Sequence, residues 1–305
     1  MKSRSFLDYL FITFKGMAMG AADVVPGVSG GTIAFISGIY EELITSINTI
    51  NLELFKILKQ KGFKAFWGKV NGNFLLALFA GIFISVFSLA KFLSWLLENE
   101  PILLWAFFFG LVFASVLFVG KEIKKWSLLT VIVFLTGAIL AFIITELPPN
   151  ENVDSLPYLL LSGALAVCAM ILPGISGAFI LVLLGSYKTI LDAVHEWDVK
   201  IVITVAIGAV FGLLSFARLL KWMFTHYKNL TLALLTGFIL GSLNKIWPWK
   251  KVLETKTFGD KTITTNDMNV WPGSYEGENQ VVFAIILAII GFSLIFILEK
   301  TASRK

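Results

Sequence analysis

Two kinds of apolar stretch alternate along the chain of 305 residues. Runs near 73–97, 102–119 and 127–145, and again near 201–224, 230–247 and 281–298, each hold at least 18 residues. That is close to the ~20 residues an α-helix needs to cross a bilayer. Ahead of each triplet lies an apolar stretch of a different kind, about 5–48 and about 157–195, interrupted in its middle by Pro, Gly and Ser. Its arms, about 15–18 residues each, are short for full spans and predict a helix hairpin that enters and returns. A third pattern, at 50–72, interleaves Leu52, Phe55, Leu58, Phe63, Phe66 and Trp67 with five lysines. It reads equally as an amphipathic helix on an anionic leaflet and as a charged connector that fixes topology. Segment 248–280 is a polar insertion absent from the first half, with Trp249 and Trp271 expected as interfacial anchors and no chemistry assigned.

The two halves repeat one another. At an offset of 147, residues 14–47 and 161–194 share nine identities in 34 gapless positions, among them Gly16/Gly163, Pro26/Pro173, Ser29/Ser176, Gly38/Gly185 and Tyr40/Tyr187. Offsets of 127 and 154 then pair Gly81/Gly208, Gly110/Gly237 and Gly137/Gly291. Order is kept while loops change length, as in a duplication. If each hairpin starts and ends on one side, a half makes an odd number of crossings and the second half is upside down. The cytoplasmic segments then carry 17 of the 25 Lys and Arg, including all five lysines of 56–69. Counting each hairpin as one crossing exports those five, against the positive-inside rule. The expected fold is an all-α polytopic membrane protein of two inverted repeats, 1–150 and 151–305. Each repeat is a Pro-Gly-broken re-entrant hairpin followed by three transmembrane helices, and both termini are cytoplasmic.

Composition sharpens this picture. The chain is 57% hydrophobic and 15% charged, with 28 Phe, more apolar surface than a soluble domain of this size can cover. The N-terminal segment lacks a small-residue cleavage pattern and reads as retained. A lone Cys168 excludes an intrachain disulfide. The net charge of +5 reads as topology and lipid-headgroup contact rather than nucleic-acid binding. No metal or organic cofactor is implied, and the sequence leaves the oligomeric state open.

The candidate chemistry sits at the breaks, PGVSGGTI at 26–33 and PGISGAFI at 173–180. Pro26 and Pro173 remove a backbone donor and clash with the preceding turn; Gly27 and Gly174 open the backbone there. Beyond each break a new helix starts, with Ser29 and Ser176 at the N-cap position. Free N–H groups near Gly30, Gly31 and Thr32, and near Gly177 and Ala178, offer an anion, above all a phosphate, donors and a partial positive charge. Paired breaks in corresponding positions of two halves are the strongest sequence pointer to a transporter's site. Asp23, whose repeat partner is Met170, is a carboxylate at bilayer depth, which costs about 2.5–3.5 kcal/mol. It is a candidate for coupling transport to H⁺ or Na⁺, or a cap for donors freed by the break. Lys91 and Arg218 are symmetry partners toward opposite membrane faces, read as snorkelling or as headgroup contacts. A kink made only for packing is the competing reading of either motif.

The strings GMAMGAADVVPGVSGGTIAFISGIYEELI at 16–44 and AVCAMILPGISGAFILVLLGSYKTIL at 166–191 resemble the bacterial polyprenyl-phosphate transporter (PopT) family, formerly a domain of unknown function. The likeness extends over nearly the whole chain. It implies a protein of the bacterial cytoplasmic membrane that returns undecaprenyl phosphate from the outer to the inner leaflet for reuse in cell-wall glycan synthesis. By that resemblance the family motif falls on Asp23, Pro26, Gly27, Ser29, Gly30, Gly31 and Thr32, with Pro173, Gly174, Ser176 and Gly177 in the second half. The second copy reads GISGAF where the first reads GVSGGT, so it offers fewer hydroxyls. Two alternatives stay open. One is a transporter of a small anion. The other, from a different class, is a membrane lipid phosphatase, which wants clustered His, Arg or carboxylates; the two histidines, His195 and His226, fall near span ends on opposite sides.

Overall fold

The computed structural model describes residues 4–25, 28–150, 155–258 and 261–302. The first half runs α1 (Phe6–Val24), α2 (Gly30–Ile36), α3 (Tyr40–Asn48), α4 (Leu52–Lys69), α5 (Gly72–Asn99), α6 (Pro101–Glu122) and α7 (Leu128–Glu146). The second runs α8 (Leu156–Ile171), α9 (Gly177–Leu183), α10 (Tyr187–His195), α11 (Val199–His226), α12 (Lys228–Ser242) and α13 (Val281–Ala302). A two-stranded ribbon, β1 (Lys250–Phe258) and β2 (Lys261–Asn269), lies between α12 and α13. Five helical segments among the described residues are long and apolar enough to span, and α8 and α13 are shorter apolar helices. This is a multi-pass membrane protein.

Local signals start these helices where the apolar pattern begins. Ser5 and Asp8 form a reciprocal capping box at α1, Ser127 accepts from the Thr130 amide at α7, and Asp198 accepts from the Ile201 amide at α11. Each satisfies a donor that a helix start leaves free.

Packing follows burial. The spans of α6 and α12 are 61% and 56% buried, against 28%, 22% and 11% for α5, α7 and α11, so α6 and α12 form the centre. Phe87, Leu128, Phe211 and Val282 on the outer helices are exposed, as side chains facing lipid tails are. Close pairs are α1 with α5, α8 with α11, α6 with α13 and α12 with α7. Glycines set their register. Gly81 lies on the Thr13 carbonyl and Gly208 on that of Leu160; Gly110 lies on Ala288 and Gly237 on Phe134; Gly291 lies on Phe107 and Gly137 on Leu234. The offsets 147, 127 and 154 carry each contact onto the other half's, so the duplication is written into the packing as well as the sequence. Small residues at such crossings let backbones approach closely, the main source of helix attraction in lipid.

Three features depart from the sequence reading. The hairpins have three helical pieces, not two arms. A second bend follows α2 and α9, where Gly38 and Gly185 take φ of 72° and 68°, and α9 and α10 meet at 109°. The fold is not all-α, because the 248–280 insertion contains the ribbon, whose Thr and Ile residues favour a pleated chain. Trp249 is not an interfacial anchor: it is buried against Ile102, Ala106 and Ala284, and its Nε1 donates to the Asn279 carbonyl at 2.7 Å. Trp271 is exposed. Segment 50–72 does form a helix, α4, bent at Gly62 (φ 75°), with Leu54 its buried residue.

Candidate functional site

The two breaks meet at the centre of the molecule. In the first, α1 ends at Val24, and Pro26 and Gly27 lie outside the described residues. Val28 and Ser29 are buried, and Ser29 takes an extended conformation (φ −123°, ψ 131°) that starts α2. The Ser29 Oγ accepts from the Gly31 amide at 3.1 Å, the usual N-cap contact. Asp23, in the last turn of α1, reaches across the break, and its Oδ1 accepts from the Gly30 amide at 2.7 Å. A carboxylate at a helix start also meets the positive end of the helix dipole. The cap expected as one reading of Asp23 is therefore its contact in this arrangement.

Cross-half hydrogen bonds join this break to the other. The Ser29 hydroxyl lies 3.2 Å from the carbonyl oxygens of Met170 and Leu172 and donates to them. The Gly174 amide donates to the Thr32 Oγ1 at 2.8 Å. A Cβ on Gly31 would stand 2.6 Å from the Ile171 carbonyl oxygen, backbone that cannot step aside. Glycine at 31 is what lets the two breaks touch.

The second break carries different chemistry. Gly174 sits at φ 91°, and Ser176 is extended (φ −89°, ψ 133°) ahead of α9 without a side-chain cap bond. Pro173, Gly174 and Ser176 are buried, Gly177 is half-buried and Ala178 exposed. Near the place where Asp23 lies against Gly30, the Met170 Cβ lies against Gly177. A thioether side chain is only a weak acceptor. Ser29, Gly31 and Thr32 are thus brought against residues 170–174, with Asp23 closing the α2 start at Gly30 and Ser176 two residues beyond Gly174. Lys91 and Arg218 are exposed on α5 and α11, with no hydrogen bond or ion pair to a break residue among the described residues.

The outer edges of the hairpins are paired elsewhere. Arg4 donates to both Glu42 oxygens at 2.6 and 2.7 Å, Asn71 donates to Glu42 at 2.7 Å, and Lys228 donates to Glu41 at 2.6 Å. Sequence reasoning missed the cross-half bonds, since Thr32 and Gly174 are 142 positions apart. It also missed a charge cluster at the foot of the ribbon. Lys245 and Lys250 each donate to Asp267 at 3.1 Å, with no sequence signal beyond one lysine at a span end and two charges in a polar insertion. No group of three or more His, Cys, Asp or Glu able to hold a metal ion occurs among the described residues.

Comparison with known proteins finds relatives over most or nearly all of the chain. The chain is 44% identical over 303 residues to the polyprenyl-phosphate transporter of Vibrio cholerae, covering 98% of each. It is 31% identical over 252 residues to the polyprenyl-phosphate transporter of Staphylococcus aureus, covering 77% of this chain and 84% of that one. No solved structure matches it. These relatives are named as transporters, not enzymes. Residues 19–262, which include both breaks, match the family described as undecaprenyl phosphate translocase-like, and the chain belongs to that family.

Proposed function

We propose that this protein carries undecaprenyl phosphate, or a related polyprenyl phosphate, from the outer to the cytoplasmic leaflet of the bacterial cytoplasmic membrane, and that the phosphate passes between the two breaks. The observation that carries this reading is the contact of the breaks, Ser29 and Thr32 of one half bonded to residues 170–174 of the other. Hydroxyls and amides gathered at one place can exchange their mutual hydrogen bonds for bonds to phosphate oxygens, with no buried donor left unpaired during transit. Ser29, Gly30, Gly31 and Thr32, with Ser176, Gly177 and Ala178, are the proposed phosphate ligands. The prenyl tail stays in the lipid beside the outer helices.

Inversion of the halves is part of the proposal. The first hairpin returns beside Arg4, Asn71 and Lys228. The second returns where the Asn150 amide donates to Leu183 and the Tyr158 hydroxyl to Leu184. Those are opposite ends of the bundle if spans alternate, and the end with Arg4 carries the lysines expected on the cytoplasmic side. Each break is then served by a hairpin open to a different leaflet.

Charge assigns a role to Asp23. Its carboxylate already occupies the Gly30 amide, so a phosphate arriving there meets a second anion. A proton or Na⁺ on Asp23 removes the conflict and ties transport to that ion. The test is transbilayer movement of a labelled polyprenyl phosphate in proteoliposomes, with and without an imposed pH or Na⁺ gradient, alongside inorganic phosphate uptake. Wild-type protein should move the lipid and respond to one of the gradients, and Asp23→Asn should move it without that response. Uptake of inorganic phosphate with no lipid movement would make this a small-anion transporter instead.

A further inference from the structure

The ribbon insertion has no counterpart in the first half, yet its base is tied into the second break. Lys245, in the short 3₁₀ turn after α12, donates to the Asp267 Oδ1 at 3.1 Å, and Lys250, the first residue of β1, donates to the Oδ2 at 3.1 Å. The three side chains are 22%, 12% and 16% exposed. The Lys245 Nζ lies 5.4 Å from the centre of the Phe179 ring, in the first turn of α9. The Lys250 Nζ lies 5.7 Å from that of Trp105 on α6 and donates to the Lys245 carbonyl at 2.8 Å. The Lys245 ammonium therefore sits between the ribbon and α9 of the second break, and the Lys250 ammonium beside it, between the ribbon and α6.

One carboxylate serves two ammonium groups, one oxygen to each. Both contacts are longer than the 2.7–2.9 Å usual for such charge-assisted bonds. The neighbouring acid, Glu146, is exposed and accepts from Asn244, and Glu276 at the ribbon's edge pairs with Lys251 at 2.5 Å. Burial pushes the Asp267 carboxyl up, but the charges of Lys250 and Lys245 outweigh it and hold the group below the usual carboxylate range. Burial, with the charge of Lys245, pushes Lys250 down from the ordinary lysine value, only partly offset by Asp267 and, more weakly, by Glu146. The cluster is thus short of negative charge. A phosphate monoester, with about −1.5 to −2 charge and three acceptor oxygens, can bond both ammonium groups at once where Asp267 offers each a single oxygen.

We infer that Lys245 and Lys250 form a receiving site for a phosphate monoester headgroup at the mouth of the second break, in which Asp267 holds the place until the phosphate displaces it. The inference rests on the transport reading for the identity of its ligand, a polyprenyl phosphate arriving from the leaflet on the ribbon's side. It adds a first docking point, outside the breaks, on an element that only the second half possesses. The two halves are then unequal, with this receiving site on the ribbon's side.

The test measures binding of farnesyl phosphate, with inorganic phosphate and farnesol as separate arms, to the full chain in nanodiscs. Titration calorimetry is read beside the fluorescence of the tryptophans around the cluster. Asp267→Asn removes the competing anion and should tighten farnesyl phosphate binding at least about tenfold. Lys245→Gln leaves the Lys250–Asp267 pair in place and should weaken binding by a similar factor. A clip that only anchors the ribbon gives the opposite sign for Asp267→Asn, because losing the carboxylate loosens both lysines. Unchanged or weaker binding in Asp267→Asn overturns the site, as does unchanged binding in Lys245→Gln if Asp267→Asn fails to fold. Inorganic phosphate binding without farnesyl phosphate binding would overturn the lipid assignment. Lipid movement by wild-type protein in proteoliposomes, with these affinities unaltered, would sink this site alone. Lysine-dependent binding without lipid movement would sink the transport reading and leave the site.

Discussion

Ser29 and Ser176 are both extended ahead of a short helix, but the two breaks present different chemistry at the helix that follows. In the first, Asp23 and Ser29 take the Gly30 and Gly31 amides, and the whole α2 start is buried. In the second, Met170 stands where Asp23 would be, Ser176 makes no side-chain cap bond, and Ala178 is exposed. The repeated sequence pattern places Pro, Gly and Ser alike in both, and substitution at three positions (Asp23/Met170, Gly31/Ala178 and Thr32/Phe179) accompanies one closed copy and one open one. The closed copy is also the one whose hydroxyls hold the two halves together.

The comparison breaks most easily at Gly31. Leucine there drives a side chain into the Ile171 and Met170 carbonyls, overpacking that costs about 1–3 kcal/mol or more. Gly31→Leu is expected to lower the thermal unfolding midpoint sharply or abolish folded yield, whereas Ala178→Leu, at the equivalent exposed position, should leave both near wild type. Similar losses in the two variants would mean the breaks are packed alike.

Next in size is the cap. Asp23→Ala leaves the Gly30 amide without its charged acceptor, and hydrogen bonds of that kind are worth about 1.5–3 kcal/mol. Met170→Ala removes only apolar contact from a half-exposed side chain. Unfolding of the two purified variants side by side should place Asp23→Ala clearly below Met170→Ala, and the reverse order would count against the closed-and-open description.

The legible part of this fold was what short sequence separations encode. Spans, their order and the positions of both breaks follow from apolar run length and from Pro, Gly and Ser in repeated register. The second bend was within reach, because Gly38/Gly185 and Tyr40/Tyr187 are identities of the duplication, and glycine followed two residues later by a helix start marks a turn. Three-dimensional pairings were not within reach. The Asp23 cap at Gly30 was one of two sequence readings of that carboxylate, but Thr32 meets Gly174 across 142 positions only because two halves are set face to face. The ribbon escaped notice because its Thr-rich strands lie among charges, and Trp249 looked interfacial until α6 and α13 were seen to enclose it.

The smallest effect concerns the N-cap serines. Ser29→Ala removes a cap to Gly31 and a donor to the second half, a loss of about 0.5–1.5 kcal/mol per hydrogen bond. Ser176→Ala removes no cap bond and should cost less. Paired melts under one detergent condition will resolve the difference, and equal shifts would argue that Ser176 caps its helix after all.

The central claim is that the phosphate travels between the breaks, using the hydroxyls that now bind one half to the other. Its most direct test is the rate of transbilayer movement of a labelled polyprenyl phosphate in proteoliposomes, comparing wild type with the double variant Ser29→Ala, Thr32→Val. Helix content and elution volume serve to confirm that both proteins are folded. The account expects rapid movement by the wild type and a fall of at least about tenfold in the double variant, the loss of roughly one charge-assisted hydrogen bond. A folded double variant that moves the lipid at the wild-type rate would contradict it.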